Sequence, residues 1–201
     1  MTTAEWLTDL PTGREEARTS KRPLLVDFWD PECLGCKKMI AVTFPDSSVA
    51  RLLRERFVCV KIDTAAVPES AREFFRAYRV TWTPDLVFFD SRGAEMNRRL
   101  GYHTPAEFVA VLRIALGMNA MAYREYGAAF TLFTEASRVD GDREIRPEAL
   151  FWAGIAAFKI AKSDRAILRQ HWRILRDEYR ATMWWSRAEA SWGVEDAAVT
   201  V

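Results

Sequence analysis

Cysteine is scarce, with three in 201 residues, too few to staple a chain of this length into a disulfide scaffold. Histidine is scarcer still, at two. A zinc centre built on Cys33 and Cys36 would need two more ligands, and neither His103 nor His171 stands at zinc-ligand spacing from the pair, so no metal is expected. An excess of one charge is missing too: 29 basic residues face 28 acidic ones, leaving +1, and nothing favours nucleic acid or another polyanion as a partner. No apolar run approaches the roughly 18 residues that a membrane span requires, and no membrane association is expected. The opening stretch, Met1-Thr2-Thr3-Ala4-Glu5-Trp6-Leu7-Thr8-Asp9, lacks a basic segment leading into an apolar one and as it stands is not a secretory leader. A processed start could hide one. With a cysteine pair that cycles rather than staples, the expected setting is reducing and cytoplasmic.

What is present starts with a core: 49% of the residues are hydrophobic, enough to exclude wholesale disorder. Leu24-Leu25-Val26-Asp27-Phe28-Trp29 reads as a buried strand carrying one acid. The chain then breaks at Pro31 and delivers Cys33-Leu34-Gly35-Cys36 where a helix should begin. A helix start offers unpaired N–H groups and partial positive charge, both of which favour a thiolate, and Lys37 and Lys38 add positive charge nearby. Cys33 is therefore expected as the exposed nucleophile and Cys36 as the shielded thiol that resolves a mixed disulfide.

Burying an unpaired carboxylate costs several kcal/mol, so Asp27 is hard to explain as packing. Burial should raise its pKa and fit it to take and return the proton of Cys36. The alternative is an acid facing solvent at the strand's start. Thr83-Pro84, just before another strand, suits a cis peptide bond that would set the Thr83 backbone beside Cys33 to pair with an extended substrate. The alternative is an ordinary trans proline at a strand start. Cys59, between Val58 and Val60, reads as buried filler.

The wider pattern predicts an α/β half. A helix over 5–19 interrupted at Pro11-Thr12-Gly13 is followed by the Leu24–Trp29 strand. A helix from the cysteines to Val42 ends near Pro45, and Asp46 starts a helix over 49–56. Then come a strand over 57–63, a helix opened by Pro68, a strand over 85–90, an antiparallel strand over 96–102, and a helix from Thr104 that ends at Gly117. Beyond it no strand pattern survives, and aromatic residues recur at helical spacing, as in Phe151, Trp152, Ile155 and Phe158 or Ile167, His171, Trp172 and Leu175. The division is placed as 1–118 and 119–201. Trp184-Trp185 follows Phe151-Trp152 by 33 residues, near the period of about 34 of tetratricopeptide arrays, and this half resembles a tetratricopeptide-like hairpin stack of one and a half to two repeats. A plain helical subdomain packed on the first half is the alternative. Arg165, Arg169, Arg173, Arg176 and Arg180 should line one helix face, either solvated or receiving an acidic partner.

With Val26-Asp27-Phe28-Trp29, Cys33-x-x-Cys36, Thr83-Pro84 and Gly101 in order, the first half resembles the thioredoxin superfamily, in particular its bacterial thioredoxin-like branch. The resemblance implies a mixed four-stranded sheet flanked by helices. It assigns Cys33 as attacking cysteine, Cys36 as resolving cysteine, Asp27 as buried acid, Pro84 as cis-proline and Trp29 as the tryptophan flanking the site, so that Trp29, Thr83 and Pro84 would meet the substrate. Leu34-Gly35 replaces glycine-proline between the cysteines and Glu32 replaces tryptophan before them, and both changes bear on redox poise. The implied activity is thiol–disulfide exchange without a cofactor, reducing a disulfide in a protein partner at the expense of a thioredoxin-reductase-like or other thiol electron donor. The competing class is a redox-responsive adaptor whose helical half binds a partner while the first half serves as scaffold. A third reading is a homodimer formed through the helical half.

Overall fold

In a computed structural model the chain forms two compact units, Met1–Asn119 and Ala120–Val201. The structure describes residues 5–140 and 144–191, so Met1 to Ala4, part of the stretch read as no leader, lie outside the described residues.

In the first unit, helix α1 (Leu10–Ser20) is capped by Asp9, whose side chain accepts from the Thr12 N–H, and Pro11 sits in its first turn. Proline lacks the N–H that an interior position needs but is pre-shaped for a helix start. Pro11 therefore begins this helix instead of interrupting one that starts at Glu5. The residues before it are extended: the Leu7 N–H donates to the Cys59 carbonyl at 2.9 Å and the Leu7 carbonyl accepts from Lys61 at 2.8 Å.

Those two bonds tie Leu7 to the outer edge of a four-stranded sheet ordered β2-β1-β3-β4. Strand β1 (Leu24–Trp29) runs parallel to β2 (Val58–Asp63) and antiparallel to β3 (Asp85–Phe89), which pairs antiparallel with β4 (Glu95–Leu100). A strand covered on both faces reads as a continuous apolar run, which is why β1 does. Its residues alternate between faces. Leu24, Val26 and Phe28 join Val60, Ile62, Val87, Phe89, Leu10 and Phe74 in one core, and Leu25 and Asp27 point to the other face.

After β1 comes the short helix α2 (Leu34–Lys38), which widens into a single π-helical turn, Met39–Thr43, before Pro45. The Phe44 N–H donates to the Met39 carbonyl at 2.8 Å, and Thr43 Oγ1 donates to the His103 carbonyl at 2.6 Å. Helix α3 (Ser47–Arg56) is capped by Asp46. A 3₁₀ turn, Glu69–Ala71, leads into α4 (Arg72–Tyr78). Helix α5 (Pro105–Ala122) runs straight through Gly117, because an interior glycine weakens a helix without stopping it. At 18 residues α5 is long and apolar enough to cross a membrane by length and composition, which corrects the expectation that no such run exists, but half of it is buried inside the protein. Phe108, Val111, Leu112, Ile114 and Ala115 are fully covered.

The second unit is helical among its described residues: α6 (Tyr126–Ala136), α7 (Ile145–Ile160), α8 (Arg165–His171), α9 (Arg173–Glu178) and α10 (Met183–Glu189). Helix α6 packs on α7, and α7 on α8. Trp172 sits at the break between α8 and α9, stacked on Phe151 with centroids 5.1 Å apart, and its indole N–H donates to the Phe151 carbonyl at 3.0 Å. That break divides the arginine series. Arg173 and Arg176 belong to a different helix from Arg165 and Arg169, and Arg180 lies beyond α9, so there is no single helix face of five arginines. Arg176 is paired with Asp177 at 2.6 Å.

Candidate active site

Cys33 caps α2: its Sγ accepts the N–H of Cys36 at 3.2 Å and lies 3.2 Å from the Thr83 carbonyl. Cys33 is half-buried and Cys36 buried, and both are free thiols. Burial pushes the Cys33 thiol up, but the Cys36 thiol, the Thr83 side chain and the backbone N–H groups of Cys36 and Gly35 outweigh it and hold the thiol below its ordinary value. Burial, reinforced by the hydrogen bond and negative charge of Cys33, pushes Cys36 up to about 12. One sulfur ionises early and its neighbour late, the division of labour read from the order of the two cysteines.

The causes of the lowering are hydrogen bonds, and neither Lys37 nor Lys38 is among them. Lys37 Nζ lies 3.7 Å from the Glu32 carboxylate, both groups well exposed, and Lys38 sits over the Tyr102 ring at 4.2 Å. Hydrogen-bond donors at the start of α2 stabilise the thiolate in their place.

The Thr83-Pro84 bond is cis. Pro84 is held by the N–H of Gly101, which reaches its carbonyl at 2.8 Å with Gly101 at φ +86°, a conformation glycine adopts at little cost. Gly35 lets this loop come close: a Cβ there would stand 3.0 Å from Pro84 Cδ and 3.8 Å from Cys33 Sγ. The result is a cleft of about 570 Å³ whose walls include Cys33, Gly35, Thr64, Trp82, Thr83 and Pro84. Leu34 and Trp82 are exposed at 80% and 69%, so apolar surface flanks the reactive sulfur. Trp29 does not line this cleft. Its ring lies 5.7 Å from Lys61 Nζ, and its carbonyl accepts from the Thr64 N–H at 2.9 Å.

Asp27 is 2% exposed, not an acid at a solvated strand start. The parallel register sets it beside Lys61, with Nζ 3.8 Å from Oδ2, while Oδ1 accepts no hydrogen bond from the described residues. Burial raises Asp27 to about 7 against the pull of the Lys61 ammonium, with a further push from Asp85. Asp85 is itself fully buried in a two-point ion pair with Arg98, at 2.8 and 2.5 Å. Lys61 is pulled below its ordinary value by burial, opposed by Asp27, Cys36 and Cys59. Cys59 is buried, as a filler should be.

Sequence reasoning missed Lys61, Gly35 and Trp82. Lys61 was detectable on the same ground as Asp27, a charge inside an apolar strand, Val58-Cys59-Val60-Lys61-Ile62. Gly35 and Trp82 gain meaning only when the cis-proline loop closes on α2.

Comparison with known proteins agrees with this geometry. The family model described as a thioredoxin-like domain matches residues 10–115. The thiol:disulfide interchange protein DsbD of Ralstonia nicotianae is 31% identical over 102 residues, half of this chain and 17% of that protein. DsbD of Vibrio vulnificus is 32% identical over 95 residues, 46% of this chain and 16% of that protein. The chain thus spans about a sixth of the length of the curated relatives it matches. Among solved structures, a thioredoxin from Thermus thermophilus superposes with a TM-score of 0.52 at 30% identity, covering 60% of this chain and 94% of that one. On the family match, the sheet order and the Cys33-x-x-Cys36 pair at the head of α2, the chain belongs to the thioredoxin-like domain family.

Proposed function

We propose that the protein is a thiol–disulfide oxidoreductase that reduces disulfides in protein partners. The observation that carries this is the asymmetry of the two sulfurs: Cys33 is accessible and lowered, Cys36 is buried and raised to about 12. The Cys33 thiolate attacks one sulfur of the partner's disulfide. That S–S bond breaks, a Cys33–partner disulfide forms, and the second partner sulfur leaves as a thiolate and takes up a proton. Asp27 accepts the proton of Cys36, whose thiolate attacks Cys33 Sγ; the Cys33–partner bond breaks, the partner sulfur that Cys33 had attacked leaves as a thiolate and takes up a proton, and the Cys33–Cys36 disulfide closes. The partner gains two electrons and the pair loses two, to be restored by a thiol electron donor.

The helical unit is proposed to hold the substrate protein. Consecutive α6–α7 and α7–α8 packing, together with the 33-residue echo, supports a tetratricopeptide-like arrangement. A reducing, cytoplasmic setting is proposed on the ground that the three cysteines make one working pair and one buried filler.

Two variants test the exchange reading. Cys33→Ser should lose reduction of a model disulfide, and Cys36→Ala should accumulate a mixed disulfide with a protein partner through Cys33. Full activity in Cys33→Ser would end the assignment, and failure of both variant and wild-type protein to turn over would favour the adaptor.

A further inference from the structure

The charge beside Asp27 is boxed by aromatic rings. Lys61 Nζ lies 4.8 Å from the Trp6 ring centroid, 4.9 Å from Phe44 and 5.7 Å from Trp29. Its side chain is only 16% exposed. The three rings come from separate places: the extended segment before α1, the residue that follows the π-helical turn, and the end of β1. Trp6 and Phe44 also touch, with centroids 4.8 Å apart.

Lysine carries its charge on a flexible four-carbon stem and is strongly hydrated, so an ammonium near the surface leaves for water unless something holds it inward. Ring faces attract a cation, tryptophan most strongly. Trp6 arrives with a fixed register, because its neighbour Leu7 is bonded to the carbonyl of Cys59 and the N–H of Lys61. The residue that closes the box is therefore delivered by the backbone of the strand that carries the lysine.

We propose that Trp6, together with Phe44, is a positioning residue for the redox centre: it holds the Lys61 ammonium against Asp27, and so governs how readily Asp27 gives up and regains its proton. The rings place no charge of their own on the carboxyl and act only through the lysine. The groups that bear on Asp27 are Lys61 from β2 and Asp85 from β3, the latter engaged by Arg98. Those that bear on Lys61 besides Asp27 are Cys36 from α2 and Cys59 from β2. A positive charge favours the ionised carboxylate, so an ammonium released to solvent makes Asp27 harder to ionise, and its titration moves to higher pH.

The consequence for catalysis rests on the exchange reading, but the box can be tested without turnover. The full-length chain, labelled with carboxyl carbon-13 aspartate, is titrated by NMR as wild type, Trp6→Phe, Trp6→Leu, Lys61→Met and the two double variants that combine Lys61→Met with Trp6→Leu or with Trp6→Phe. Trp6→Leu should raise the Asp27 midpoint by about half a pH unit or more, Trp6→Phe by less, and each double variant should match Lys61→Met alone. An unchanged midpoint in folded Trp6→Leu, or an equal further shift when Lys61 is already Met, overturns the proposal. If Trp6→Leu does not fold, Trp6→Phe carries the test: a smaller upward shift that Lys61→Met abolishes supports the box, and a shift of zero or one that persists sinks it. A titration that behaves as expected in a protein without disulfide-reducing activity would remove the exchange reading and leave the box standing.

Discussion

Asp27 is neutral more often than a surface aspartate would be, and this affects the fold as well as the chemistry. Its pKa is 3.8 in an ordinary setting and about 7 in the folded chain. Between these values the folded protein holds a proton that the unfolded chain has released, so stability falls as pH rises through the window and the full penalty is present above 7. About three pH units at 1.36 kcal/mol each gives a penalty of roughly 4 kcal/mol. Asp27→Asn keeps the shape and cannot ionise. Urea unfolding should show the variant more stable than wild type at pH 8, with the advantage fading towards pH 4, and parallel pH dependences in the two proteins would refute it. The same variant should release the mixed disulfide at least tenfold more slowly near neutrality, since a positioned acid or base contributes about 10²-fold or more. On the proposed mechanism the acid lowers stability at the pH where it would serve the reaction.

Helix ends were harder to read than strands. The β1 and β2 runs were plain because a strand buried on both faces must be apolar, and the two charges in their interiors, Asp27 and Lys61, stand side by side in the register. The errors at Pro11, Gly117 and Trp172 share a cause: each residue is a generic breaker or helix former whose effect is decided by its neighbours. Gly154 shows the same dependence. A Cβ there would fall 2.2 Å from the Trp172 indole nitrogen, so the glycine is what allows α7 to receive Trp172 at the α8–α9 break. Gly154→Ala should therefore cost about 1–3 kcal/mol through overcrowding, despite the higher helix propensity of alanine. Thermal unfolding monitored by tryptophan fluorescence would reveal it. A variant as stable as wild type would mean that the indole yields freely and this packing is not decisive. The π-helical turn after Cys36 had no visible signal in the local sequence, and the bond made from its last residue, Thr43 to the His103 carbonyl, joins positions 60 apart.

For the molecule as a whole, the chemistry was legible because it is concentrated in three short segments, each with its own pattern: an acid inside a strand, two cysteines at a helix start, and a proline before a strand. What joins them was not legible. The Lys61 box needs the β1–β2 register and the Leu7 pairing, and the cleft needs Gly35 beside Pro84. If the first unit holds all the reactive groups, a chain ending at residue 124, just beyond α5, should keep most of its activity on a small model disulfide while losing capture of the protein partner. Loss of the model activity on truncation would show that the helical unit completes the catalytic site. Light scattering on both forms tests whether dimerisation, where it occurs, requires the helical unit. The central claim is a difference between two sulfurs one helical turn apart, and the rate of alkylation against pH reads it directly, with mass spectrometry locating the label. Cys33 should react half-maximally well below the ordinary thiol value of 9.0, with Cys36 unlabelled across the neutral range. Equal labelling of both, or a Cys33 that reacts only above that value, would contradict the account.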